Sequence, residues 1–477
     1  MNRTIKKDIF IYVIIDIAIS LITLAVNKAV IYSFGILSIL IIGSIYTISN
    51  LKDRFILFSF NLGFAVFLFL GYFISYLKNK NFSFFSNNYF SSSPEAIKHA
   101  CIACFISITI INVVYMLFHK EININGKGYL KTKHKINRQL YKMLWGILVI
   151  SYLCRIMELI ENLLLVKAVS YYESGNYLST LPSIIFHASS LCYIVMFLIL
   201  ATFPEKKIVK RILLMISLLV IMQLICGKRG EAISLVLTCV FYIFIRTRYG
   251  IKDFLIPKKV VVITIILMPI IIYMLQAISI TRDNQSYEVN IKDGISSFFE
   301  SQGGSVKIIA NSYDLKEEIE SLGGHTFVLG EIRYYLKNNV VTRIFTNQEK
   351  RLRNLDDVYS GDNFLRTYGY AYAPVSYLNG VGAGSSYIAE VYHDGGYGLL
   401  VLANIFIAIL LLKIEKIKSQ SIISLAIHLN IFRYIALLPR GMYLDWFVNT
   451  FSVQNIVLYI VVWYCISKTK IDKLEIK

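Results

Sequence analysis

Residues 260–278 read VVVITIILMPIIIYMLQAI, and residues 279–290, which follow at once, read SITRDNQSYEVN. The first stretch is long and apolar enough to cross roughly 30 Å of hydrocarbon. The second opens a polar insertion from Ser279 to Ser385 that holds no run of that kind. On both sides of the insertion, apolar segments of roughly 17–25 residues recur almost end to end. This junction decides the fold class: an all-α, polytopic integral membrane protein of about twelve transmembrane helices with one large extracytoplasmic loop. The expected organisation is a membrane bundle of about nine helices over 1–278, the loop over 279–385, and about three further helices over 386–477.

Composition agrees. A chain of 477 residues with 56% hydrophobic and 17% charged residues is too apolar for an ordinary soluble surface. Spans are expected near 9–26, 30–48, 55–77, 96–118, 141–166, 181–203, 212–226, 231–247, 260–278, 386–412, 422–437 and 446–466. The run from Ile9 to Val26 lacks a small-residue cleavage pattern, so it is expected to remain as the first span.

A net charge of +19 suggests nucleic acid until the cations are located. About 27 Lys and Arg fall in alternate short connections and about seven in the others, the positive-inside asymmetry that sets orientation. The insertion itself carries 11 basic against 13 acidic residues. Nucleic acid is therefore not an expected partner; membrane lipids are. Arg3, Lys6 and Lys7 put the amino end inside, and strict alternation puts the Lys-rich tail from Lys468 inside too. The loop then faces outside, with the short turns at Gly227–Gly230 and Pro439–Asp445. All seven cysteines lie in apolar segments, and Cys101 and Cys104 read as small core residues. No metal-ligand spacing, P-loop or nucleophile elbow is present in the sequence.

Within the loop, 289–310 and 327–346 show helical apolar spacing suited to a membrane surface. Lys228 and Arg229 sit between glycines in an outer turn, against the charge bias. They fit either the oxygens of a phosphate or lipid headgroups reached by snorkelling. Arg440 repeats the pattern in Pro439-Arg440-Gly441, and Arg282 stands at the stem of the loop beside Asp283. Glu390, His393 and Asp394 share one helical face at the outer end of the span that begins near Ser386. A carboxylate at a membrane boundary marks either a site or an ion pair with the outer arginines, and either acid can serve as general base.

These blocks together resemble the Wzy family of O-antigen and capsular polysaccharide polymerases. The resemblance is carried by Gly227-Lys228-Arg229-Gly230, Gln302-Gly303-Gly304-Ser305, Gly361-Asp362-Asn363-Phe364, the run from Gly384 to Glu390, and Pro439-Arg440-Gly441. It covers about the last 260 residues and departs from the family pattern at Gly395 and Gly396, where an aromatic is expected. The resemblance implies a GT-C-like frame in the bacterial cytoplasmic membrane, with both termini cytoplasmic. It also implies metal-independent glycosyl transfer between undecaprenyl-diphosphate-linked oligosaccharides, with no cofactor. Lys228, Arg229, Arg282 and Arg440 would hold the diphosphate, and Glu390 or Asp394 would be the base, with Arg229 also at the reacting centre. Asp362, Asn363 and Arg366 would contact sugar. A chain-length regulator and a flippase of the same pathway are implied as partners. A glycan ligase shares this topology and chemistry. A flippase would want mid-membrane charges on many helices, whereas these spans carry few charges, Asp16, Arg155 and Glu158 among them.

Overall fold

A computed structural model describes residues 3–79, 83–86, 90–120, 138–169, 179–251, 253–254, 291–323, 326–346, 355–415 and 421–471. The expected span at 260–278 lies outside them. The first helices are α1 (Arg3–Val26), α2 (Ala29–Ser49), α3 (Leu51–Phe64), α4 (Leu70–Asn79) and α5 (Pro94–Phe118), with a π-turn over Ala65–Phe69 joining α3 to α4. Then follow α6 (Arg138–Val169), α7 (Ser183–Ser190), α8 (Cys192–Ala201), α9 (Lys206–Ile225) and α10 (Arg229–Arg248). Among the described residues, eight helical stretches are long and apolar enough to cross a membrane, and Phe10–Val26, Ile422–Ile435 and Val453–Lys468 are shorter apolar helices. Outward apolar faces fit lipid contact: Leu21, Ile22, Leu214 and Ile460 are exposed.

Among its described residues the loop contributes eight short helices: α11 (Ile291–Gln302), α12 (Gly304–Asp314), α13 (Lys316–Ser321), α14 (Gly330–Asn338), α15 (Val340–Thr346), α16 (Leu355–Tyr359), α17 (Phe364–Tyr372) and α18 (Pro374–Leu378). Each of the two segments expected to be helical is broken in two. The first breaks at Gly303, where a Cβ would sit 2.9 Å from the Cα of Gly71, so the loop backbone packs directly on α4. The second breaks at Asn339, whose extended backbone ends α14.

The chain returns through α19 (Tyr387–Glu415), α20 (Ile422–Ile435), a 3₁₀ turn at Leu438–Arg440, α21 (Asp445–Thr450) and α22 (Val453–Ile471). The expected span at 446–466 thus starts instead at Val453, after the short α21. The expected span at 386–412 is not straight either. Backbone angles leave the helical region at Gly395 and at Gly396, where φ is +60°. The hydroxyl of Tyr387 donates to Oδ1 of Asn404 at 2.9 Å. In a straight helix those residues would stand about 25 Å apart. The two glycines, midway between them, therefore fold α19 into a hairpin. The arm 387–394 lies back inside the bundle, and the arm 397–415, about 28 Å long, is the part that can cross. Gly396 allows this because a positive φ costs it nothing.

Two networks mark opposite ends of the bundle. At one end, Arg248 bonds Asp53 and Glu415, each at 3.1 Å, and His119 lies 3.6 Å from Glu415. These residues belong to alternate connections, those that carry the Lys clusters. At the other end the loop docks. Ser93 donates to Asp314 through its N–H and its hydroxyl at 2.7 and 2.6 Å, and the N–H of Val453 donates to the Tyr335 oxygen at 2.7 Å. Arg248 has only 5% of its side chain exposed. Arg248→Ala is expected to leave two carboxylates without their cation and to cost roughly 3–5 kcal/mol. A lower thermal midpoint in detergent, partly recovered by Arg248→Lys, is the result that checks this.

Candidate functional site

At the end where the loop docks, a cavity of about 320 Å³ opens between α10, the end of α20 and α21. Its polar lining is Glu231, Arg433, Asp445 and Asn449, and Trp446 and Tyr434 add aromatic surface. The sequence builds it from two turns. Gly227, at φ +78°, ends α9, and the N–H of Lys228 closes back on the carbonyl of Gln223 at 2.8 Å. This starts α10 at Arg229 and sets Glu231 in its first turn, where a carboxylate faces the positive helix end. The second turn, Leu438–Arg440, is drawn inward because Gly63 leaves room: a Cβ there would stand 2.7 Å from the Ala436 carbonyl.

Behind the cavity lies a charged network. Arg155 bonds Glu158 with both carboxylate oxygens at 2.9 Å and reaches Glu231 at 2.9 Å. Gln223 donates to Glu231 at 3.0 Å and to the Tyr193 hydroxyl at 2.7 Å. Arg433 stacks 4.1 Å above the Tyr193 ring and stands 3.7 Å from Glu231, yet makes no hydrogen bond among the described residues. Arg433 is more than nine-tenths buried, whereas 41% of the Glu231 side chain is exposed. The cavity thus presents one buried cation beside two half-buried carboxylates. Burial pushes the Asp445 carboxyl up to about 6, against the Asn449 amide at 2.5 Å and the Arg433 charge, which both pull it down. That is a useful value for a base near neutral pH.

The residues expected from sequence divide into groups. Lys228 and Arg229 sit at the start of α10, beside the cavity, with Arg229 buried and Lys228 half-buried. Arg440 instead donates to Gln302 of the loop at 3.0 Å and lies over the Phe67 ring. Glu390 is buried on the inner arm of the α19 hairpin, where it accepts the N–H of Tyr443 at 2.6 Å and so holds the turn that precedes Asp445. Asp394, at the hairpin tip, accepts the N–H groups of Phe327 and Val328 at 2.8 and 2.7 Å. Asp362 is buried between Arg333 at 3.1 Å and Lys337. Asn363 caps α17 and donates to Glu331 at 2.5 Å. Arg366 pairs with Asp357 and lies 4.7 Å over Tyr334. Arg282 lies outside the described residues.

Glu331 connects the loop to this region. Burial, with the Asp445 charge adding to it and Arg366 opposing, pushes its carboxyl up to about 7. A carboxyl raised in the fold favours the folded state below its ordinary value near 4.5 and loses that advantage as pH rises through 7. The loss amounts to about 3 kcal/mol. Glu331→Gln keeps an acceptor for Asn363, so its stability is expected to fall less than that of the wild type between pH 5 and 8. Thermal midpoints at the two pH values check this; parallel curves would contradict it.

Sequence reasoning missed Glu231, Arg433 and Asp445 as a group, although each left a signal. Glu231 directly follows the Gly-Lys-Arg-Gly turn, Arg433 interrupts the apolar run IFRYI, and Asp445 follows the second turn. Arg155 and Glu158 stood out as charges within a span, but nothing local says that they face Glu231, 76 positions further on.

Against known proteins, residues 8–470 match the family model described as O-antigen polysaccharide polymerase Wzy. No curated protein matches, and no solved structure does.

Proposed function

Because the chain belongs to the O-antigen polysaccharide polymerase Wzy family, we propose that it joins undecaprenyl-diphosphate-linked oligosaccharide repeat units on the outer face of the cytoplasmic membrane. The observation that carries the reading beyond the family is the cavity lined by Glu231, Arg433 and Asp445, set where the loop meets the bundle. An acceptor sugar hydroxyl attacks the anomeric carbon of the donor. A C–O bond forms there, the bond to the diphosphate breaks, and undecaprenyl diphosphate leaves with the electron pair. Asp445 takes the proton of the attacking hydroxyl. Asp445 lines the cavity with one oxygen that has no donor among the described residues, whereas both oxygens of Asp394 and one of Glu390 already serve backbone N–H groups. Glu390 and Asp394 act as positioning residues for the 441–445 segment and for the loop.

In this reading Lys228 and Arg229, at the start of α10, hold the leaving diphosphate; Arg440 in the second turn and Arg282, which lies outside the described residues, are further candidates for that role. Charge developing on a phosphate oxygen in a partly dry site gains most from fixed cations. Asp362, Asn363 and Arg366 support the sugar-facing part of the loop. In this reading the reaction requires no metal.

The test is glycan length in a deletion strain. Single repeat units on the lipid, converted to a ladder only by the restored gene, support polymerase. Long polymer left on the carrier would make the protein a ligase. Repeat units trapped on the inner face would make it a flippase.

A further inference from the structure

The charge pattern of the cavity says what enters it. A diphosphate offers only acceptors and at least two negative charges; it would satisfy Arg433 but face Glu231 and Asp445 across the same space. Glu231 has two donors on one oxygen, Arg155 and Gln223, with the Arg433 cation 3.7 Å from that same oxygen, and no donor on the other among the described residues. Asp445 receives Asn449 on one oxygen, and its other oxygen has no donor among the described residues. Arg433 has hydrogens to give and no acceptor among the described residues. The lining therefore asks for a ligand that both donates and accepts, carries no negative charge, and has an apolar face for Trp446. A volume of about 320 Å³, roughly ten water volumes, admits a single sugar ring with its hydroxyls and leaves room for water around it.

We infer that this cavity is a subsite for one uncharged, hydroxyl-bearing pyranose ring of the acceptor, and that it discriminates against uronic acids and diphosphate. The inference rests on the polymerase reading for the ring belonging to an acceptor, but the binding chemistry stands apart from it. Hydroxyls donate to the open oxygens of Glu231 and Asp445, a ring or hydroxyl oxygen accepts from Arg433, and the ring face lies on Trp446. Diphosphates are kept outside, at the Lys228–Arg229 turn.

The chain has three tryptophans, Trp145, Trp446 and Trp463. Trp145→Phe with Trp463→Phe leaves Trp446 as the reporter in the full chain, held in phosphatidylethanolamine–phosphatidylglycerol nanodiscs. Titration with a methyl hexopyranoside is expected to give a saturable change in Trp446 fluorescence. The corresponding methyl hexuronoside should bind at least about tenfold more weakly, and inorganic diphosphate should not compete. Asp445→Asn should narrow the gap between the two glycosides, a gain that mere structural damage would not produce. Arg433→Met should weaken binding of the neutral glycoside roughly tenfold to a hundredfold. If diphosphate or the uronoside saturates the signal below the neutral glycoside, or if no glycoside changes it, the inference falls. The polymerase reading is judged separately by the cellular ladder: a missing ladder phenotype with intact glycoside binding would sink that reading and leave the subsite standing.

Discussion

Asp445→Asn is expected to stop polymer growth, lowering the rate by a factor of roughly a hundred to ten thousand, the usual effect of removing a positioned base. Asparagine keeps the volume of the side chain and an oxygen for Asn449 at the same place. The fold should therefore survive, with an unchanged thermal midpoint. The wild-type rate carries a second signature. The carboxyl lies near 6 because it is buried, and Asp445 must be ionised to accept a proton. The rate should rise with pH through about 6 and then level off. The charged groups that face it, Arg433, Glu231 and Glu331, set where that limb falls. Residual activity in Asp445→Asn should lack the limb. A variant that keeps both rate and limb would move the base elsewhere, with Glu390 the next to test.

Arg433→Met should cost roughly tenfold to a hundredfold at neutral pH, the range for losing a charged hydrogen bond to substrate. Methionine keeps an unbranched stem but loses the guanidinium that stacks on Tyr193. Its diagnostic effect is on pH. Arg433 pulls the Asp445 carboxyl down, so its removal lets burial and Glu231 raise that group further. The acid limb should move to higher pH, and part of the lost rate should return in alkaline buffer. A purely structural role would lower the rate at every pH alike. Arg433→Lys, which keeps the charge without the fork, should leave the limb in place while still lowering the rate.

The membrane frame was legible because hydropathy and cation placement are local signals. The end of the bundle that holds Asp53, His119, Arg248 and Glu415 is also the end that alternation of the Lys clusters assigns to one side. The hairpin in α19 was hidden: 386–412 has the apolar length of a span, and only the Gly395-Gly396 pair hints that the helix turns back. This matters for Glu390, which the sequence puts at the mouth of a straight helix and the fold puts on a buried arm. The cavity was the least legible part. Glu231, Arg433 and Asp445 come from three elements, and what joins them is helix packing around Arg155 and Tyr193, which no spacing in the chain records.

The central claim is repeat-unit polymerisation by this chain, and the most direct measurement is reconstitution. The purified full-length protein in lipid vesicles is supplied with undecaprenyl-diphosphate-linked repeat units as the sole glycan source, with a chelator present and no nucleotide sugar. The account predicts a ladder that grows by whole repeat units and is lost in Asp445→Asn. Lipid-linked units that stay single with wild-type protein, under conditions where it remains folded, would contradict it.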